Sequence, residues 1–193
     1  MVLVHVTRTS YVVGMNSDNP SGADNQQGRL EAYLSGFADG EGSFSIGVIR
    51  RPDLRFGFQL IHEFRVSQNA ERTIVLERFR ETLGCGSIRA NDLHRASDRT
   101  QVFVVRRRQD LLEHVIPFFE RNPLLSEKHQ TFTTFAFIVR SMAKGLLLEY
   151  EGFAELVRAA FTMNGEGSYR RWKLSDVIGD QNPQRLYAEH PGG

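Results

Sequence analysis

The feature that most constrains the fold of this chain is the tract YLSGFADGEGSF at residues 33–44, because its pattern changes from helical to strand-like within a few positions. Apolar residues at helical spacing predict the end of an amphipathic helix at residues 30–38. The two glycines of DGEG favour the end of that helix, and residues 43–49 then alternate as a half-buried strand does. The tract therefore predicts a helix that leads directly into a sheet.

Asp39 and Glu41 fall at this predicted junction, and two physical features suggest a cation site there. Gly36 and Gly40 share one helix face, and a face without side chains lets another backbone approach closely. The C-terminal end of a helix carries partial negative charge, so acids there are unfavourable unless a cation is present. Hard divalent cations bind carboxylate and carbonyl oxygens together. For the acids taken alone, an ordinary helix end with solvated side chains is the alternative.

The composition bounds the class of protein. The chain has 193 residues, 40% of them hydrophobic and 24% charged, which are values typical of a globular protein. The formal net charge is only +1, so basic residues that contact a nucleic acid would have to be clustered. Three of the 24 basic residues are lysines and the rest are arginines, which suit phosphate and guanine. Arginine-favouring codon usage explains that excess equally well.

Cysteine content and hydropathy bear on the compartment. The single cysteine excludes an internal disulfide and a cysteine-based zinc site, and it fits a reducing environment. No apolar run reaches membrane-spanning length, and the N-terminal residues lack the pattern of a secretory signal. We therefore expect an intracellular protein, in the cytoplasm, the nucleoid or an organelle matrix, with no membrane partner.

Periodicity predicts the order of the elements. Helices are predicted at residues 30–38, 70–83, 109–121, 126–142, 151–163 and 169–178. Strands are predicted at residues 43–49, 56–66, 87–91 and 100–106. Residues 1–28 are expected to be an N-terminal extension, with a flexible linker at 16–28, residues 29–180 one domain, and residues 181–193 a tail.

Two predicted hairpins with helices between and after them indicate an α+β fold. Helices are expected to cover one face of the sheet and to leave the other bare. The bare face carries glutamine, glutamate, arginine and asparagine, which direct readout of base edges requires. A plain polar solvent face is the alternative, since exposed strand faces are normally polar.

Residues 34–42, LSGFADGEG, resemble the signature of the LAGLIDADG homing endonucleases. Ser35 stands for the usual alanine and Ala38 for a larger aliphatic residue, and the order of elements over residues 30–178 is also similar to that of the family. The motif occurs once, which resembles the single-motif branch, in which two identical chains form the enzyme. The resemblance implies an αββαββα saddle with a four-stranded antiparallel sheet. It also implies that the concave face binds DNA, that helices cover the other face, and that the motif helix forms the dimer interface.

The resemblance also implies roles for individual residues. Glu41, with the carbonyl of Gly40, would bind the metal, most simply Mg²⁺, as two or three divalent ions shared at the dimer interface. Gln68 would position solvent, Arg72 would lie near the scissile phosphate, and Lys128 would be the catalytic lysine. The alternatives are a turn residue, a surface arginine and an exposed helix lysine. The residues implied at the dimer interface are Gly36, Asp39 and Gly40.

The predicted strands and the basic cluster supply candidate DNA contacts. Residues on or beside one strand face that could contact base edges are Gln59, Glu63, Arg65, Arg89, Asn91, Arg99 and Gln101. The densest basic cluster, next to Trp172, is assigned to phosphate contact and consists of Arg170, Arg171 and Lys173. A charged surface helix is the alternative for that cluster.

Three functions are compatible with these features. The favoured one is a sequence-specific, metal-dependent endonuclease that acts as a homodimer, makes a double-strand break at a long pseudo-palindromic site, and is encoded by a mobile intron. The second is a non-cleaving intron-splicing maturase, with intron RNA as a partner, or a DNA-binding protein on the same scaffold. The third sets the resemblance aside and is a dimeric α+β binding module whose glycine face is only a dimer interface.

Overall fold

The computed structural model describes residues 22–92, 97–163 and 171–179. Its strands are β1 (Gly42–Arg50), β2 (Phe58–Asn69), β3 (Ser87–Ala90) and β4 (Thr100–Val105). Its helices are α1 (Gly22–Glu41), α2 (Ile74–Leu83), α3 (Arg108–Asp110), α4 (Ile116–Arg121), α5 (Lys128–Ala143), α6 (Tyr150–Phe161) and α7 (Leu174–Ile178). None of the helices in these ranges is long and apolar enough to cross a membrane.

The four strands form one antiparallel sheet in the order β1-β2-β4-β3. Each hairpin therefore places its second strand at the centre, and β2 and β4 join the two hairpins. Helices pack against one face, where the apolar residues of alternate strand positions are buried in the core. The predicted α+β fold with a four-stranded antiparallel sheet is confirmed. The opposite face, which we call the open face, carries no helix of the described part of the chain.

Helix α1 begins earlier than predicted. It starts at Gly22, so residues 22–28 are helical and the prediction of a flexible linker is wrong for them. Asp24 lies in the first turn, where a negative charge is favourable. The amide of Gln27 donates a hydrogen bond to Glu31 over 2.9 Å, one helical turn away. These local interactions offset the polar composition that had indicated a linker.

The end of α1 passes directly into β1, and Gly42 makes that transition possible. Gly42 is buried, and a β-carbon placed on it would lie 2.5 Å from the carbonyl oxygen of Ala38. Two residues later, Phe44 is fully buried and stacks on Phe64 with 4.9 Å between ring centroids. Phe119 meets the same ring edge-on at 5.1 Å. The chain that follows the motif acids is therefore fixed in the centre of the core.

The predicted helix at residues 109–121 is one helical segment with a widened turn. A π-helical turn, Leu111–Val115, separates α3 from α4. Pro117 lies in the first turn of α4. Because proline lacks an N–H group and its ring clashes with the carbonyl of the preceding turn, we attribute the wide turn to this residue.

Candidate functional site

The C-terminal end of α1 carries a bound ammonium group. The last carbonyls of a helix have no partner within the helix and carry partial negative charge. Lys128 Nζ donates hydrogen bonds to two of them, over 3.0 Å to Ala38 O and 3.2 Å to Gly40 O. Burial holds the pKa of Lys128 below its ordinary value, against the opposing effect of Asp39 and Glu41. The predicted catalytic lysine and the motif helix are thus in direct contact.

The Asp39 carboxylate forms hydrogen bonds within its own chain. Its carboxylate accepts hydrogen bonds from the backbone N–H of Leu125 at 3.0 Å, from the N–H of Ser126 at 2.9 Å, and from the Ser126 hydroxyl. Burial alone would raise the pKa of Asp39, but these hydrogen bonds and the charge of Lys128 leave it below the ordinary aspartate value. Ser126 Oγ also accepts from the Lys128 N–H at 3.1 Å. Asp39 therefore ties the segment that carries Lys128 to the end of α1.

Glu41 contrasts with Asp39. It is exposed, and its carboxylate makes no hydrogen bond or ion pair with any residue in the described ranges. The adjacent Gly40 carbonyl already binds a cationic group, the ammonium of Lys128. A carboxylate next to such a carbonyl is a donor set that fits a hard divalent cation. The described residues contain no cluster of three or more His, Cys, Asp or Glu side chains that could hold a metal ion.

Gln68 and Arg72 lie at the same end of the sheet as Glu41. Gly42, the first residue of β1, is opposite Val66 on β2. Gln68, two residues further along β2, therefore lies close to the end of α1. Its side-chain oxygen accepts from the N–H of Asn69 at 2.7 Å. Arg72 is exposed in the 3₁₀ turn Ala70–Arg72 that follows β2. The structure thus brings the four predicted catalytic residues to one end of the sheet, where Glu41 ends the motif helix and Lys128 donates hydrogen bonds to its carbonyls.

The predicted base contacts fall mostly on the open face. Gln59, Glu63 and Arg65 alternate along β2 on the side away from the core. Arg89 joins them, since it is opposite Val102, which is itself opposite Ser67.

Several of these side chains are engaged within the chain. Gln59 accepts from Arg51 at 3.1 Å. Glu63 forms an ion pair with Arg106, and Arg65 donates to Asn91. Any ligand on this face must therefore compete with, or add to, existing hydrogen bonds.

Gln101 and Arg99 do not share that face. Gln101 is opposite Gln68 and Ala90, so it lies with Phe103 on the helix-covered side of the sheet. Its position does not favour base contact. Arg99 lies just before β4, where its guanidinium forms an ion pair with Glu71 at 2.9 Å.

Three features of the site escaped the sequence reasoning. Arg106 is two residues after Val104, so it lies on the same side of the sheet. Its ion pair with Glu63 confirms that it is on the open face. Val102 and Val104 are buried on that face, so it is not purely polar. Asp98, two residues before β4, accepts a hydrogen bond from the Asn91 amide. Of these three features, only the position of Arg106 could have been predicted, from the alternation of residues along β4.

The basic cluster lies at the far end of the sheet. Arg171 and Lys173 are exposed, and Arg170 lies outside the described residues. The Arg171 guanidinium stands 5.5 Å from the centre of the Trp172 ring. Trp172 meets Phe58, at the start of β2, edge-on at 5.5 Å. The cluster is therefore well removed from Glu41, at the opposite end of the β1–β2 hairpin.

One side of α1 is bare. Gly36 and Gly40 are exposed, and a β-carbon at either position would meet no heavy atom within 4 Å. Exposed apolar residues flank the glycines, with Tyr33 57% and Leu125 94% exposed. A cavity of about 290 Å³ beside Gly36 is lined by Asp39 and residues 121–125. This face is open to another backbone.

The helix with its terminal acids, followed by a four-stranded antiparallel sheet, agrees with the LAGLIDADG signature at residues 34–42. A sequence model of the family described as LAGLIDADG endonuclease matches residues 34–139, and this chain belongs to that family.

Individual relatives agree with this assignment. The chain is 36% identical to DNA endonuclease I-CeuI of Chlamydomonas moewusii over 89 residues, which cover 46% of this chain and 39% of that protein. It is 31% identical to the homing endonuclease I-TnaI, with a TM-score of 0.63, over 82% of this chain and 93% of that structure. The archaeal intron-encoded homing endonuclease I-Vdi141I, solved with DNA, gives a TM-score of 0.72 at 26% identity, over 86% of this chain and 99% of that structure. The chain spans less than two thirds of the length of the curated relatives that it matches.

Proposed function

We propose that this chain is a sequence-specific DNA endonuclease that depends on a divalent metal ion. The observation that carries the proposal is the end of α1, where Lys128 Nζ lies 3.2 Å from the Gly40 carbonyl beside an exposed Glu41 carboxylate. An acid, a carbonyl and a cation at one helix end suit phosphodiester hydrolysis, in which negative charge develops on phosphate oxygens. Membership of an endonuclease family supports the same activity.

The residues have distinct proposed roles. Glu41 would hold Mg²⁺ together with the Gly40 carbonyl, once the Lys128 ammonium releases that carbonyl. When bound, the ion supplies charge stabilisation and an activated water. Lys128 would place positive charge beside the scissile phosphate. Gln68 would orient solvent, and Arg72 would contact the phosphate backbone. The open face would contact base edges, with Arg171 and Lys173 on phosphates at the far end.

We also propose that two chains form the active enzyme. A single chain supplies one Glu41 carboxylate, whereas breaking both strands requires two centres. Packing of two bare α1 faces through Gly36 and Gly40 would bring the two carboxylates together, with two or three ions shared between them. A two-fold symmetric protein implies a long, roughly palindromic target. We extend to this chain the intron-encoded origin that is stated for I-Vdi141I.

The charge of Glu41 is tested by Glu41→Gln, which keeps the shape of the side chain and removes its charge. The assay is cleavage of a pool of candidate insertion-site duplexes in Mg²⁺, compared with Ca²⁺ or EDTA. We expect the variant to bind duplex DNA and not to cut it. The matched control is Glu81→Gln, which only breaks an exposed ion pair with Arg78 on α2 and should cut normally. Full cutting by Glu41→Gln would contradict the proposed role. Binding of intron RNA without any DNA cleavage by the wild type would favour the maturase instead.

The dimer is tested by Gly36→Leu, because the side chain has open space within its own chain. Glu81→Gln on α2, away from the α1 face, is the control. Sedimentation should show the wild type and the control at twice the chain mass of 22.0 kDa, and Gly36→Leu at the mass of one chain. A Gly36→Leu dimer would exclude this face as the interface.

A further inference from the structure

Three side chains, one on β2, one after β3 and one before β4, form a continuous chain of hydrogen bonds. Arg65 Nη2 donates to Asn91 Oδ1. Asn91 Nδ2 donates to Asp98 Oδ2 over 2.7 Å. The other oxygen of Asp98 accepts the N–H of Thr100 at 2.9 Å, which fixes the carboxylate at the start of β4. We call these three residues the Arg65 relay.

The donors and acceptors of these three side chains allow the hydrogen bonds to run in only one direction, from Arg65 through Asn91 to Asp98. A guanidinium has donors only, and an ionised carboxylate has acceptors only. An amide placed between them satisfies both when its oxygen faces the arginine and its NH₂ faces the aspartate. The reverse orientation would oppose donor to donor on one side and acceptor to acceptor on the other. Asp98 therefore fixes the orientation of the Asn91 amide, and the amide in turn holds the Arg65 guanidinium.

This arrangement changes what each residue can read. Adenine is recognised when an asparagine uses its oxygen and its NH₂ on the same base. Both groups of Asn91 are already occupied. Among the described residues Arg65 donates a hydrogen bond only to Asn91, so the other N–H groups of its guanidinium are available for two acceptors. Two acceptors side by side, O6 and N7, are the major-groove edge of guanine.

The position of Arg65 favours a base over a phosphate. It lies on β2, one of the two central strands, opposite Ser43 on β1 and Val104 on β4. Val104 is buried, so apolar surface lies beside the arginine stem on this face. An arginine held at the centre of a sheet faces the middle of a groove, whereas the exposed Arg171 and Lys173 lie at one end of the sheet.

We propose that Arg65 reads a guanine and that Asn91 and Asp98 are positioning residues that orient it. The proposal rests on the proposed recognition of duplex DNA. In this proposal Asn91, which was expected to contact a base, instead orients Arg65.

The test is selection from a pool of randomised duplexes by the full chain in Ca²⁺, read as base preference at each position. Asp98→Asn is the central variant, because it is isosteric and its oxygen can still accept from Thr100. Its new NH₂ faces the NH₂ of Asn91, so the relay loses its polarity. The double variant Asn91→Asp with Asp98→Asn exchanges the two side chains at unchanged net charge. The amide at position 98 would then donate to a carboxylate at position 91, which also accepts from Arg65. Arg65→Ala removes the reader.

We expect the wild type to select a motif with a dominant guanine at one position. Arg65→Ala should abolish that preference, lowering discrimination there roughly tenfold or more. Asp98→Asn should weaken the same position alone, and the exchange should restore it, which a merely structural role for Asp98 would not produce. Glu81→Gln on α2 is the control, and equal thermal midpoints establish that the variants are folded.

Several results would overturn the proposal. If Arg65→Ala weakens binding to all sequences equally and reduces its salt dependence, Arg65 contacts phosphate. If Asn91→Ala alone removes an adenine preference, Asn91 is itself a reader. If Asp98→Asn has no effect, or the exchange gives no rescue, the relay does not orient Arg65. A wild type that selects no motif would overturn the proposed DNA recognition as well, whereas the other outcomes leave that recognition intact.

Discussion

Removal of the Asp39 carboxylate should destabilise the chain in a pH-dependent way. Asp39 accepts hydrogen bonds from two backbone N–H groups, at 3.0 and 2.9 Å, and from the Ser126 hydroxyl. Hydrogen bonds to a charged group contribute about 1.5–3 kcal/mol each when protected from water, and neutral ones about half as much. This site is largely open to solvent, so screening reduces these values. We expect Asp39→Asn to cost about 1 kcal/mol and Asp39→Ala about 2 kcal/mol.

The sign of the pH dependence follows from the depressed pKa. Because the pKa of Asp39 is lower in the folded chain than in the unfolded chain, its ionised form stabilises the fold. That stabilisation is fully present above the ordinary aspartate pKa of about 3.9 and is lost as the pH falls through the folded value. The difference in stability between wild type and Asp39→Asn should therefore be constant near neutrality and shrink in acid.

The assay is urea unfolding of both proteins at pH 7, 4 and 3, at one chain concentration because association also stabilises. Glu81→Gln serves as a control for the removal of an exposed carboxylate. The reasoning is refuted if Asp39→Asn is as stable as the wild type at pH 7, or if the difference between them persists unchanged in acid.

Other changes test the junction and the core. Gly42→Ala puts a β-carbon 2.5 Å from the Ala38 carbonyl oxygen, and we expect a loss of about 2 kcal/mol in urea unfolding together with slower cleavage, because Glu41 must shift. Phe44→Ala opens a cavity in the aromatic cluster and should cost about 3–5 kcal/mol, while Phe44→Leu should cost clearly less. Burial raises the pKa of Cys85 to about 11. Its alkylation at pH 8 should therefore be about 200-fold slower in the folded chain than in denaturant, where the thiol pKa is about 8.5.

The sequence was most informative where a pattern is local. The change from helical to strand-like spacing at residues 33–44 predicted the junction of α1 and β1. The alternation in β2 separated Phe64 from Arg65, because opposite faces of that strand differ in polarity. In β4 the same method could not assign the faces, since all of residues 102–105 are apolar and buried. The face of Gln101 was therefore fixed only by pairing with β2.

Contacts between distant segments left no local signal. Asp39 and the Ser126 N–H are 87 positions apart, and Lys128 reaches carbonyls 88 and 90 positions before it. Ile74 is 68% exposed, because the buried face of α2 is formed by Val75, Leu76, Phe79 and Leu83. Ile74 is five positions before Phe79, a spacing that places it off this face.

The two motif acids, Asp39 and Glu41, have different electrostatic surroundings at the end of α1. The Asp39 carboxylate accepts hydrogen bonds from its own chain, whereas Glu41 has no hydrogen-bond partner among the described residues. One ammonium, that of Lys128, faces both carboxylates, so this helix end keeps a net negative charge. In the proposed dimer two such ends would meet, and their repulsion opposes association unless cations lie between them. Cation binding and dimer formation then draw on the same pair of carboxylates, so each must strengthen the other by an equal factor. Sedimentation at increasing Mg²⁺ measures that coupling directly. Glu41→Gln, which removes the repulsion, should dimerise independently of Mg²⁺.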